Sequence, residues 1–110
     1  MDNERALIII KRHIDYDFLN PYECWHECIF DTQAYSRWAA NEIYERIANE
    51  ANRLPSHITG QEQRAPISII NEFIDLMDEC YDAYKDFDDI QKVFMYAKFE
   101  ALDILDLLYS

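Results

Sequence analysis

Glycine and proline are nearly absent from this chain, and this scarcity limits the folds that it can adopt. The 110 residues include one glycine, Gly60, and three prolines, Pro21, Pro55 and Pro66. Tight turns between β-strands depend on glycine, proline and similar residues, and a sheet protein of this length would need many such turns. Apolar residues instead recur three and four positions apart along nearly the whole chain, which is the period of an amphipathic helix. The sequence therefore predicts an all-α fold.

The helical spacing divides the chain into four stretches, and the segment that holds Pro55 and Gly60 is the main connector. A chain of 110 residues has room for one domain, so we expect a single helical domain over residues 1–110. Four amphipathic helices pack most simply as a small bundle. The predicted helices cover residues 4–19, 21–53, 66–87 and 89–109.

The second helix has the clearest predicted start. Asn20 supplies a capping side chain, Pro21 suits the first helical position, and Glu23 suits the third. Asp31 could cap a new helix further along the chain. Residues 21–53 are therefore predicted either as one helix with a kink near residue 31 or as two helices.

Each predicted helix carries an apolar stripe, and we expect the four stripes to form the core. In the first two helices the stripes consist of Leu7, Ile10, Ile14 and Phe18, and of Trp25, Ile29, Tyr35, Trp38, Ile43, Ile47 and Leu54. In the last two they consist of Ile69, Ile70, Phe73, Leu76, Met77, Cys80, Tyr84 and Phe87, and of Ile90, Val93, Phe94, Ala97, Ala101, Ile104, Leu105 and Leu108.

Negative charge is the second dominant feature of the sequence. The chain has 22 acidic residues against 10 lysines and arginines, for a formal net charge of −12. A protein with this charge repels a phosphate backbone, which argues against direct binding to nucleic acid. Over half of the net charge lies in residues 71–89, where eight acids accompany the single base Lys85.

A helix over residues 66–87 would place several of these acids along one side, roughly 5–6 Å apart. Like charges at that spacing destabilise a helix, and acids near its C-terminus oppose the helix dipole. Sequences that break such local rules often do so at functional sites, so we expect a partner-binding surface here. Its predicted residues are Asp75, Asp78, Glu79, Asp82, Asp86 and Asp89, with Tyr81 beside them as an aromatic anchor. The alternative is a solvated acidic face with no partner.

The sequence offers little support for catalysis, a cofactor or a metal site. One glycine cannot form a glycine-rich phosphate loop, and no nucleophile motif surrounds the serines. Cys24 and Cys28 would share a helical face, and His13 and Cys80 could complete a zinc site in space, but buried thiols in a helical core are commoner. Glu23 and His26 form one Glu-x-x-His unit, whereas a di-iron bundle needs two. We therefore expect no enzyme activity, no cofactor and no bound metal.

The N-terminal region indicates where the protein resides. The apolar run Leu7 to Ile10 stops at Lys11 and Arg12, which makes it too short for a signal sequence or a membrane span. Three cysteines, an odd number, suit reduced thiols better than a disulfide framework. We expect a cytoplasmic protein that does not enter a membrane.

Small size, helicity and localised negative charge together favour a binding function. The first hypothesis is an inhibitor that occupies the basic surface of a nuclease or another nucleic-acid-binding protein. Toxin-neutralising immunity proteins and phage-encoded nucleic-acid mimics, anti-CRISPR proteins among them, are of this kind. The alternative is a structural or regulatory subunit that forms a homodimer through an apolar face and inhibits nothing, which would use the eight tyrosines, six phenylalanines and two tryptophans of the chain.

Overall fold

The computed structural model describes residues 1–17, 27–53 and 63–109, and all regular secondary structure within these ranges is α-helical, without a β-strand. The all-α fold is therefore confirmed, as a small bundle of about four helices. The helices are α1 (Asn3–Asp17), α2 (Glu27–Ala51), α3 (Pro66–Ala83) and α4 (Asp88–Tyr109).

The core is one continuous apolar cluster to which all four helices contribute. α4 packs along both α3 and α2, while α1 packs mainly on α2. Burying one apolar stripe from each helix removes apolar surface from water, which drives the packing. The buried residues are Ala6, Ile10 and Ile14 of α1, Ala39, Ala40, Ile43 and Ile47 of α2, Ile69, Ile70, Phe73 and Met77 of α3, and Ala97, Ala101, Ile104 and Leu108 of α4.

The predicted start of the second helix at residues 20–23 lies outside the described residues, as do the predicted core residues Phe18, Trp25 and Leu54 and the side chain of Ile29. The predicted core position of Trp38 is wrong, because its side chain is 43% exposed at the edge of the core. The described part of α2 passes residue 31 without interruption, so no second helix begins there.

α3 begins at Pro66, as its sequence predicts. Ala65 has an extended backbone conformation, with φ −67° and ψ 147°, because the ring of a following proline disfavours a helical conformation. Pro66 itself suits the first helical position, where its missing N–H would have had no partner in the helix.

The predicted end of this helix at residue 87 is wrong. α3 ends at Ala83, where Tyr84 takes up a non-helical conformation and its N–H donates to the carbonyl of Cys80 at 3.1 Å. After a short turn, the carbonyl of Phe87 accepts hydrogen bonds from the N–H groups of Ile90 and Gln91 and so opens α4. Aspartates at positions 88 and 89 favour a new helix N-terminus over a continued C-terminal end, because the helix dipole attracts anions only at the N-terminus.

α3 and α4 form an antiparallel hairpin around this turn. Near the turn the ring of Tyr84 stacks on Phe94, with ring centroids 5.7 Å apart. Further from the turn, the Nζ atom of Lys98 lies 2.7 Å from a carboxylate oxygen of Asp78. The contact nearer the turn joins residues 84 and 94, and the contact further away joins residues 78 and 98. This widening separation in sequence is expected when two helices run in opposite directions.

The polar side chains of α1, α2 and the segment before α3 meet at the far end of the bundle. Asn3 of α1 donates to the backbone carbonyl of Arg64 at 3.0 Å, and the N–H of Arg64 donates to a carboxylate oxygen of Glu50 at 2.6 Å. The Arg64 guanidinium also pairs with Glu72 of α3. These bonds tie three helices together at the end of the molecule opposite the α3–α4 turn.

Candidate protein-interaction surface

The acids predicted as a partner-binding surface begin on the outer side of α3. Asp75, Asp78, Glu79 and Asp82 are all exposed, on the side away from the buried Phe73 and Met77. This part of the predicted arrangement follows from helical geometry, because positions three and four apart share one side of a helix.

Two of the six predicted acids do not belong to this helix. Asp86 lies in the turn after α3 and Asp89 lies in the first turn of α4, because α3 ends at Ala83. The expectation of one continuous helical stripe is therefore wrong for these two residues. Both are nevertheless exposed, as is Asp88, and they extend the negative charge around the end of the hairpin. We call Asp75, Asp78, Glu79, Asp82, Asp86, Asp88 and Asp89 the acidic surface.

Most of the acidic surface lacks a partner within the described part of the chain. Asp78 pairs with Lys98, and none of its other members forms an ion pair with a residue that the structure describes. Acids elsewhere are commonly paired with a base or an imidazole, namely Asp15, Glu42, Glu50, Glu72 and Glu100. The acidic surface thus combines a high density of carboxylates with little internal neutralisation.

The helix boundaries change the electrostatic cost of this surface. Asp82 lies in the last turn of α3, where the helix dipole disfavours an anion. Asp88 and Asp89 lie in the first turn of α4, where the same dipole favours them. The predicted conflict with the dipole therefore applies at Asp82, whereas the crowding of like charges applies along α3.

Tyr81, the predicted aromatic anchor, flanks the acidic surface. Its side chain is 39% exposed, and its backbone carbonyl accepts a hydrogen bond from the side chain of Gln91 on α4 at 2.9 Å. Its position beside Asp82 and close to the turn is compatible with contact to a partner.

Three further apolar residues at the turn are exposed although the sequence predicts them in the core. The exposed fractions are 41% for Tyr84, 59% for Phe87 and 40% for Ile90. The predicted core positions of all three are therefore wrong. They lie beyond the end of α3 or at the start of α4, where the described helices cover them only in part, as where Tyr84 stacks on Phe94 of α4. The sequence predicts a helix start at residue 89, but the apolar spacing extends to residue 87 and resumes at Ile90.

An open groove lies between α1 and the C-terminal part of α4. Its volume is about 770 Å³, and Ile9, Tyr16 and Leu107 supply apolar walls beside Arg12 and His13. The imidazole of His13 bonds to the carboxylate of Glu100, which is buried. At the edge of the groove, His13 is thus engaged in a contact between α1 and α4.

The thiols offer no metal site in the part of the chain that can be described. Cys80 is a half-buried free cysteine, whereas Cys24, His26 and the side chain of Cys28 lie outside the described residues. Across the described ranges, no three histidines, cysteines or acids come together in a metal-binding geometry.

None of the helices within those ranges is long and apolar enough to cross a membrane. No protein-family model, curated protein or solved structure matches this chain in comparisons with known proteins.

Proposed function

We propose that this protein binds a basic partner protein and occupies the surface with which that partner holds nucleic acid. The observation that carries the proposal is the acidic surface, a set of exposed carboxylates of which only Asp78 is neutralised by another described residue. Carboxylates along α3 stand roughly 5–6 Å apart, so they present to a basic cleft a row of negative charges comparable to a phosphate backbone. Inhibition would follow from competition for that cleft.

The charge distribution also supports fast association. Negative charge concentrated on one side of a small protein attracts a basic partner over long distances and orients it during approach. Such steering weakens as salt screens the charges, over a Debye length of about 10 Å at 0.1 M salt. An immunity protein that neutralises a nuclease toxin, or a phage-type nucleic-acid mimic of the anti-CRISPR kind, would act in this way.

The proposal is tested with two variants that lose the same charge from different surfaces. The surface variant carries Asp75→Asn, Glu79→Gln, Asp82→Asn and Asp86→Asn, and it spares Asp78 because that residue pairs with Lys98. The control variant changes four exposed acids elsewhere, namely Glu4→Gln, Asp15→Asn, Glu45→Gln and Asp103→Asn.

Each protein is immobilised and used to capture partners from lysate of the source cell at about 50 mM and about 200 mM salt. We expect the wild type and the control variant to retain a nucleic-acid-binding protein that the surface variant releases. The captured protein, once purified, should lose its oligonucleotide when the wild type is added. Equal loss from both variants, or capture that salt does not weaken, would contradict the proposal.

A homodimeric subunit remains the alternative, and one observation favours it. Phe99 and Leu102 lie three residues apart on α4 and are 49% and 39% exposed, and Leu107 and Tyr109 are exposed further along the same helix. Such residues can form an interface between two copies. Light scattering over a range of concentrations separates the two functions, since the alternative requires a dimer that salt does not dissociate and that Leu102→Glu disrupts.

A further inference from the structure

The α3–α4 turn carries exposed aromatic side chains that pack on residues closer to the core. Phe94 packs against the core, the ring of Tyr84 stacks on Phe94, and the ring of Phe87 meets Tyr84 edge-on at 6.4 Å. Ile90 follows at the start of α4 and is also exposed. We call Tyr84, Phe87 and Ile90 the apolar tip. Because the rings are supported by packing, little side-chain freedom is left to lose when a partner binds.

The apolar tip lies within the acidic surface. Within five residues of Phe87, the four exposed aspartates Asp82, Asp86, Asp88 and Asp89 outnumber two exposed lysines, Lys85 and Lys92. Protein-interaction sites often combine a central aromatic anchor with a polar rim, and tyrosine is among the residues enriched at such anchors. The rim here is negative, which identifies the charge that the partner must supply.

We propose that the apolar tip is the anchor of the interface and that it enters an apolar pocket bordered by lysines or arginines on the partner protein. The proposal rests on the proposed function and narrows the class of partner. A cleft that binds only phosphate would offer no apolar contact to the ring of Phe87. The basic surface of the partner must therefore also contain an apolar recess.

Charge disfavours the two simplest other occupants of the tip. A second copy of this chain would bring together two surfaces on each of which four aspartates outnumber two lysines, so the net charges facing each other would be alike. A nucleic acid would meet the same repulsion from its phosphates. A cationic protein surface is the occupant whose charge complements the rim.

The test uses two synthetic peptides that differ in one side chain. Each has two lysines at both ends, and the central residue is tryptophan in one peptide and alanine in the other. Binding to the isotopically labelled full chain is measured by NMR titration. We expect the tryptophan peptide to bind about tenfold more tightly, with the largest shifts at Tyr84, Phe87 and Gln91.

Two single variants then localise the anchor. Phe87→Ala should reduce the affinity of the tryptophan peptide to that of the alanine peptide and leave the alanine peptide unaffected. Phe99→Ala is the matched control, because Phe99 is similarly exposed and also meets a tyrosine ring edge-on, that of Tyr96. It should change neither affinity. The difference in affinity between the two peptides is measured on the wild type, so it tests the anchor even if one of the variants fails to fold.

The outcomes distinguish failure of the anchor from failure of the proposed function. Equal affinity of the two peptides for the wild type, or shifts centred on the groove at Arg12 and Leu107, would overturn the anchor. Dimers that Phe87→Ala dissociates would also overturn it, in favour of a second copy. If the surface variant binds the alanine peptide as tightly as the wild type does, the acidic surface itself attracts no cations and the proposed function fails.

Discussion

Glu100 is a charged residue in the interior of the bundle. It is 7% exposed, and its carboxylate bonds to the Nε2 atom of His13, so a polar contact links α4 to α1 within an apolar core. Burying such groups is costly unless they are hydrogen-bonded, and losing a buried polar contact costs more than losing an exposed one. The contact therefore contributes more to fixing how α1 lies against α4 than to total stability.

A double-mutant cycle measures the coupling between these two side chains. We expect His13→Leu and Glu100→Leu to destabilise the protein by about 1–3 kcal/mol each, and the double variant to lose less than the sum. The free energy of unfolding is measured by urea titration. The exposed pair of Lys11 and Asp15 provides the control cycle, for which we expect a coupling of about 0.5 kcal/mol or less. Equal couplings would show that the buried contact is no stronger than a surface pair.

The partner of His13 shows a limit of sequence reasoning at this scale. Within α1, spacing predicts only local pairs, and Asp17 stands four residues after His13. Glu100 is 87 residues away, and nothing in the spacing of α1 or α4 selects it. Pairs of this kind depend on how the helices are arranged, which single-helix periodicity does not specify.

Phe73 is the largest fully buried side chain of the core. It is fully buried on α3, where its ring lies 6.0 Å from that of Trp38 and the Arg46 guanidinium stands 5.5 Å over it. We expect Phe73→Ala to lower the free energy of unfolding by about 3–5 kcal/mol, because it leaves a cavity. Phe99→Ala, at an exposed position, should cost roughly 1 kcal/mol or less. Thermal and urea denaturation of the two variants check this, and similar losses would contradict the assigned core.

At the scale of helices, we expect the acids on the two sides of the α3–α4 turn to have opposite effects on the stability of the fold. We expect Asp88→Asn with Asp89→Asn to lower the free energy of unfolding by about 0.3–1 kcal/mol per residue at low salt, because both acids lie at a helix N-terminus. Asp82→Asn should raise it slightly, since Asp82 lies in the last turn of α3. Urea titrations at low and high salt provide the measurement. Changes of the same sign at both ends would contradict the boundary at residues 84–87.

Periodicity predicted the four helices well, and the boundaries less well. The apolar spacing of residues 69–77 and 97–108 identified core positions that the structure buries. It also extended the third helix through Tyr84 and Phe87, because aromatic residues at helical spacing look like core whether or not the helix continues. The exposure of Phe87 results from where the chain turns, and a hydrophobic pattern alone contains no information on that point. The exposure of the acids and of Tyr81 was accordingly predicted, whereas the exposure of Tyr84, Phe87 and Ile90 was missed.

At the scale of the whole molecule, the net charge of −12 is distributed unevenly, and this has a consequence for stability. Asp75, Asp78, Glu79 and Asp82 stand three or four residues apart on α3, and each such pair of like charges destabilises a helix by about 0.2–0.5 kcal/mol. A surface retained for binding would therefore be kept at some loss of stability, as interaction sites often are.

The surface variant should consequently be more stable than the wild type, by about 1 kcal/mol at low salt, with a smaller difference at high salt as ions screen the repulsion. The control variant removes the same charge but also breaks the pair between Asp15 and Lys11, and it relieves no comparable row of acids, so it should gain little or lose stability. Urea titration of the wild type, the surface variant and the control variant at low and high salt distinguishes two causes of a gain in stability, the total charge of the molecule and the crowding of acids along α3. An equal gain in both variants would mean that the total charge of the molecule sets its stability, and the crowding along α3 would then carry no particular cost. A gain confined to the surface variant would show that the acids of α3 oppose folding, as expected of a surface whose charges serve binding rather than stability.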